Sequence, residues 1–139
     1  QTKLLRVLQE SSVTRIGGSK EIKLDIRILA ATNRNLSERV KEGLFREDLF
    51  YRIQGFLIHL PLLKERGNDI ILLANYFINH FCKENKIEVK QIQKSAIKKL
   101  LAHTWPGNVR ELKSLMERAI LISDDEFIRE EDLIFSTTI

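Results

Sequence analysis

The sequence predicts an α/β segment followed by an all-α segment, with the change falling near Leu57–Leu63. Three observations predict it. Asp25–Ala31 (DIRILAA) and Phe56–Leu60 are mostly apolar runs of strand length, as expected of strands buried on both faces. After Pro61 the apolar residues recur at three- and four-residue spacing instead, which is the period of a helix with one buried stripe. Asn68 and Asn108 head two of these patterns, and asparagine is a favoured helix-capping residue. The division this implies is 1–60 for the α/β part and 61–139 for the helical part.

Each element has its own signal. Leu4, Leu5 and Leu8 predict a helix over Thr2–Glu10. Arg15–Ser19 (RIGGS) is a turn or loop, since paired glycines admit unusual backbone angles. Thr32 and Asn33 end the strand Asp25–Ala31. Asn35, with Glu38 three residues on, starts a short helix in a variant of the capping box, and Gly43 stops it. Arg46–Ile53 predicts another short helix, and Pro61 closes the strand Phe56–Leu60. In the helix after Asn68, Ile70, Leu73, Phe77 and Phe81 form the expected buried stripe. Ala96, Ile97, Leu100 and Leu101 mark the face of the next helix, which the Trp105-Pro106-Gly107 turn breaks. Asn108 and Glu111 form a cap pair for a helix whose core face is Val109, Leu112, Leu115, Met116, Ala119 and Ile120. Phe127, Ile128 and Leu133 predict a last short helix.

Composition narrows the function classes. A chain of 139 residues with 43% hydrophobic and 30% charged residues fits a soluble globular protein. Its apolar runs are too short to span a membrane, and no signal peptide opens it. Cys82 is the single cysteine, which excludes an intramolecular disulfide and fits a reducing cytoplasm. His59, His80 and His103 share no metal-ligand spacing, so no metal site is expected. The net charge of +4 is concentrated. Residues 1–56 hold 11 Lys/Arg against 7 Asp/Glu, while residues 57–139 hold 12 of each.

Four positions could carry chemistry. Asn33 follows a predicted strand, and open α/β sheets bind ligands beyond their strands' carboxyl ends. Its amide could meet a phosphate oxygen or an attacking water, or it could simply turn the chain. Arg46 and Arg52 are six residues apart, a helical offset of about 240°, so they do not share a face. Asp48 and Arg52 could form an ordinary i,i+4 surface pair. Alternatively, the planar guanidinium groups could grip phosphate oxygens. Arg110 falls in the first turn of its helix, where anions are favoured, or it pairs with nearby carboxylates. Ile120–Glu126 mimics an apolar strand ending in an acidic pair that holds Mg²⁺, but it continues the helical stripe from Asn108. Ala96–His103, the turn and Asn108–Ile122 also mimic a helix-turn-helix DNA-binding module. Its reading helix would offer Arg110, Glu111, Lys113, Glu117 and Arg118, nearly balanced charge where phosphate contacts want a positive surface. A helical interaction domain with no nucleotide role is a third reading.

Two strings decide among these. Gly43–Ile53 (GLFREDLFYRI) and Trp105–Leu112 (WPGNVREL) resemble the second half of the AAA+ ATPase module of bacterial sigma-54-dependent transcription activators. Ala31–Arg34 (ATNR) looks like that family's sensor I, and Gln1–Glu10, Arg15–Ser19 and His59–Ile70 resemble its flanking segments. Lys64 stands where an arginine is usual, and Leu62 where a second proline is usual. The resemblance implies that Arg46 and Arg52 are arginine fingers acting on a neighbouring subunit's ATP, that Asn33 is sensor I, and that Arg110 is sensor II on a helical lid. It implies the C-terminal part of a P-loop NTPase-like α/β subdomain followed by that lid. It also implies a cytoplasmic bacterial protein that forms ring hexamers, uses ATP and Mg²⁺, and remodels sigma-54 RNA polymerase for promoter opening. Enhancer DNA would be met only through other domains, and no membrane is involved.

The chain contains no G-x-x-x-x-G-K-[ST] phosphate loop, whose backbone N–H groups and lysine would cradle the phosphates. Alone it is therefore expected neither to hydrolyse ATP nor to bind it tightly. The resemblance places Asp25–Ala31 and Phe56–Leu60 in a parallel sheet whose other strands precede Gln1. Residues 1–60 are accordingly expected to be rearranged, partly mobile, or self-associated through unpaired edges.

Overall fold

Thr2–Glu10 forms the first helix, α1, over the residues that the leucine spacing predicts, and it buries Leu5. Ser11 ends it in the left-handed region, at φ 49°, with its N–H donating to the Val7 carbonyl. The computed structural model describes residues 1–135, and the chain divides into two units, Gln1–His59 and Leu60–Ile139.

In the first unit, β1 (Ser12–Thr14) pairs antiparallel with β2 (Glu21–Lys23), Val13 opposite Ile22. The Arg15–Ser19 loop is the connection of this hairpin, and Gly17 takes φ 78° there. Next come α2 (Leu36–Lys41) and α3 (Glu47–Ile53). Asn35 caps α2 as its spacing predicts, its side chain accepting from the Glu38 N–H at 3.4 Å. Gly43, at φ 70°, follows the end of α2. α3 packs on α1 and α2 and buries Leu49, which is 1% exposed. Fully burying a leucine stabilises by roughly 1.5–3 kcal/mol.

Two expected strands do not form. Residues 24–32 belong to no sheet, and Ile26, Ile28 and Leu29 are exposed, Leu29 at 87%. Phe56–Leu60 is likewise outside any sheet, with Phe56 at 89% exposure. The physical reason is pairing: a strand is stabilised by its ladder and cross-strand neighbours, and neither run has such a neighbour among the described residues.

The second unit follows the helical pattern closely. After a 3₁₀ turn at Leu63–Glu65 come α4 (Asp69–Asn85), β3 (Gln91–Ile92), α5 (Lys94–Ala102), α6 (Asn108–Ile122) and β4 (Phe127–Ile128). α4 packs chiefly on α6 and also on α5. One core joins Ile70, Ala74, Ile78 and Cys82 of α4 to Ala96 and Leu100 of α5 and to Leu112, Leu115, Met116, Ala119 and Ile120 of α6. On α4 the fully buried line runs through Ala74, Ile78 and Cys82, while Leu73, Phe77 and Phe81 flank it half-buried. Leu101, expected on the α5 core face, is 42% exposed.

Three local expectations need correction. Phe127–Ile128 is a strand, not a helix: it pairs parallel with Gln91–Ile92, Ile92 opposite Ile128. Ile128 and Leu133 are still buried, so the apolar signal was right and its period was not. Asn68 occupies the cap position of α4 without a side-chain cap bond; its carbonyl accepts from Ile71 and Leu72. Asn108 does not cap α6. Gly107 holds that position, and Asn108, at φ 50°, turns its Oδ1 to the Leu63 N–H at 2.9 Å.

Candidate functional site

The candidate residues fall in separate units, and each setting is described on its own. In the first unit Arg46, just before α3, and Arg52, within it, both bond to α1. Arg46 stands at the cap position of α3 and grips Asp48 with two bonds, Nε to Oδ1 at 3.0 Å and Nη2 to Oδ2 at 2.6 Å. Its Nη1 donates to Thr2 Oγ1 at 3.3 Å, and its backbone N–H donates to Gln1 Oε1 at 2.8 Å. The hydrogen bond from Arg46 holds the Asp48 carboxyl below its ordinary range, and the same contact raises the Arg46 guanidinium.

Arg52 differs. It donates from Nε and Nη2 to one acceptor, the Leu8 carbonyl, at 3.1 and 2.7 Å. That carbonyl lies in the last turn of α1, where carbonyls lack intrahelical partners and a cation is favoured. The i,i+4 alternative, an Asp48–Arg52 pair, is not made: Asp48 is taken by Arg46. Among the described residues Arg52 therefore carries a charge that meets a neutral acceptor and no carboxylate.

Asn33 is exposed in the bend after residues 24–32, beside the Arg34 N–H, which donates to Thr32 Oγ1 at 3.0 Å. The strand that was expected to aim Asn33 is not formed, so its placement here follows from the bend alone.

In the second unit Arg110 is the third residue of α6, exposed, with no ion pair among the described residues. The carboxylate nearest along the chain, Glu111, is engaged elsewhere. Its Oε2 accepts from the Gly107 N–H at 2.7 Å, and its Oε1 lies 2.8 Å from His103 Nε2. Arg110 opens into a pocket with Gly107, Glu111, Ser114, Arg118 and Phe135. Sequence reasoning missed His103, considering it only as a metal ligand. Its eight-residue separation from Glu111 across a Pro-Gly turn was the available signal.

Among the described residues no group of three or more His, Cys, Asp or Glu could hold a metal. Of Ile120–Glu126 the helical reading holds as far as Ile122, where α6 ends; Ser123–Glu126 lie beyond the helix, and Asp125 there pairs with Arg129. No helix among the described residues is long and apolar enough to cross a membrane.

Residues 1–59 match the model of the sigma-54 interaction domain, and residues 64–138 match that of the AAA+ ATPase lid domain. The chain is 53% identical over 133 residues to nitrogen fixation protein AnfA of Azotobacter vinelandii, covering 96% of this chain and 25% of the relative. It is 51% identical over 133 residues to regulatory protein AtoC of Escherichia coli, covering 96% and 29%. The solved structure of NtrX from Brucella abortus in complex with ADP superposes with a TM-score of 0.88 at 36% identity, covering 96% of this chain and 31% of that one. The chain thus spans between a quarter and a third of the length of these relatives. With both parts matched in this order, the chain belongs to the AAA+ ATPase module of the sigma-54-dependent transcription activators, as a C-terminal part of it.

Proposed function

We propose that this chain is the sensing and subunit-coupling part of an ATP-hydrolysing module in a bacterial, cytoplasmic transcriptional regulator that remodels sigma-54 RNA polymerase. Residues 1–60 carry sensor I and the arginine fingers, and residues 61–139 form the lid that carries sensor II. In the ring-shaped hexamer of the whole protein, Arg52 and Arg46 reach the ATP held by the adjoining subunit. Asn33 orients a phosphate oxygen or the attacking water. Arg110 registers the terminal phosphate from the lid. ATP hydrolysis supplies the free energy for remodelling. Mg²⁺ and the phosphate cradle are provided by residues other than these.

One observation carries the reading. Arg52 and Arg110 each hold a guanidinium with no carboxylate partner among the described residues. A guanidinium not committed to a carboxylate is available to a phosphate, which it can bind bidentately. Support comes also from NtrX, a structural relative solved with ADP and with ATP.

The test is complementation between subunits. A full-length protein carrying Arg52→Ala is mixed with a phosphate-loop variant of the same protein. Mixed rings pair an intact loop with an intact finger, so ATP turnover should partly return. No return at any ratio, with mixed rings verified by mass, overturns the assignment in trans.

A further inference from the structure

The turn that precedes Arg110 is held in an uncommon conformation. Trp105 and Asn108 both sit in the left-handed region, at φ 53° and 50°. Asparagine tolerates this region comparatively well, but a bulky residue such as tryptophan adopts it at an energetic cost, where its surroundings impose it. Trp105 is fixed by burial and by its indole N–H, which donates to the Leu100 carbonyl at 3.0 Å. Asn108 is fixed by Leu63. Between them Gly107 approaches α6 closely: a Cβ there would meet the Glu111 Cβ at 2.7 Å.

Glu111 closes this turn from the helix side. One carboxylate oxygen takes the Gly107 N–H, and the other meets His103, before the turn. The pair is largely shielded, with side-chain exposures of 23% for His103 and 14% for Glu111. The His103 ring is itself located by Trp105, edge-on at 4.8 Å, and by Phe135 at 4.1 Å. Glu111 therefore ties both ends of the turn to the residue that follows Arg110.

We propose that His103 and Glu111 are positioning residues for Arg110: their hydrogen bond, with that of Gly107, sets the left-handed turn that aims the guanidinium. The inference rests on the reading of Arg110 as a phosphate contact. It assigns part of that contact to a histidine that touches no phosphate. When the bond is broken, the Glu111 carboxylate is no longer held from the His103 side, its grip on the Gly107 N–H loosens, the turn relaxes toward ordinary backbone angles, and Arg110 leaves its direction.

The experiment uses the 139-residue chain and tripolyphosphate as probe, read by NMR at the Arg110 Nε–H, with exchange of the Gly107 amide measured in parallel. Two substitutions separate hydrogen bonding from packing. His103→Phe keeps a ring against Trp105 and Phe135 and removes the bond; His103→Gln keeps a donor and removes the ring. His103→Phe should weaken the tripolyphosphate response about tenfold, the scale of one charge-assisted hydrogen bond, and speed Gly107 exchange with α6 still folded. His103→Gln should retain most of both. An unchanged Arg110 response and a still-protected Gly107 amide in His103→Phe overturn the proposal. So does an equal loss in both variants, which would assign the effect to packing. If Arg110 of the unsubstituted chain ignores tripolyphosphate, the phosphate reading fails by itself. The Gly107 exchange and the mobility of the Arg110 Nε–H then decide the positioning pair in the same way.

Discussion

The two units of this chain follow the same rule of apolar patterning with opposite outcomes. In Leu60–Ile139 the apolar stripes of three helices meet and disappear into one core, from Ile70 to Leu133. In Gln1–His59 the two most apolar runs, around Ile28 and Ile58, remain at the surface. A helix satisfies its backbone within itself and needs only one face covered. A strand needs a neighbour for its backbone as well, and that neighbour can lie anywhere in the sequence. The second unit is thus complete in its own terms. The first presents two exposed apolar segments and an arginine, Arg52, with no carboxylate partner among the described residues.

The contrast is sharpest in activity. In a full-length protein Arg52→Ala should lower ATP turnover by about 10³–10⁵-fold, the range for arginine fingers supplied by another subunit. It should leave the thermal melting of Leu60–Ile139 unchanged, since among the described residues Arg52 bonds within the first unit. Steady-state turnover and calorimetric melting of the same preparation check both. A tenfold effect or less would return Arg52 to being a cap on α1.

Stability should show the reverse asymmetry. Trp105 is 1% exposed and Phe56 is 89% exposed. Trp105→Ala should destabilise the second unit by roughly 3–5 kcal/mol. Phe56→Ala in the 139-residue chain should change its own unit by no more than about 0.5 kcal/mol. Denaturant melts with a probe in each unit distinguish them. A large loss from Phe56→Ala would mean that the run is covered after all.

Arg110→Ala should have the smallest structural effect. Its side chain is exposed and unpaired among the described residues, so the melting temperature should stay within about 2 °C, as for ordinary surface substitutions. The response of the full-length protein to ATP against ADP should weaken. A melting loss comparable to that of Trp105→Ala would show that Arg110 supports the fold instead of sensing a ligand.

What the sequence revealed follows the same division. α1, α2 and α3 were legible because leucine spacing, the Asn35 cap and the Gly43 stop are local signals. α4, α5 and α6 were legible chiefly from period, which held although the asparagine cap bonds expected to head α4 and α6 do not form. β4 was misread as a helix because a two-residue strand has no period, and only its partner Gln91–Ile92 identifies it. The arginines were found by their motifs, but their partners were not. Nothing in the spacing indicates that Arg46, not Arg52, takes Asp48, because that choice depends on where α1 comes to lie. The Asn108–Glu111 cap pair was half right: Glu111 does reach back, but to Gly107 and His103, while Asn108 serves Leu63.

Hydrogen exchange of the 139-residue chain tests the central contrast most directly. Amides of α4 and α6 should exchange slowly, at the rate of cooperative unfolding of the second unit. Amides of residues 24–32 and 56–60 should exchange far faster, within the range of unpaired backbone. Sedimentation of the same sample reports whether copies pair through these segments. Slow exchange throughout Asp25–Leu60 in a sample that sediments as a monomer would contradict the contrast.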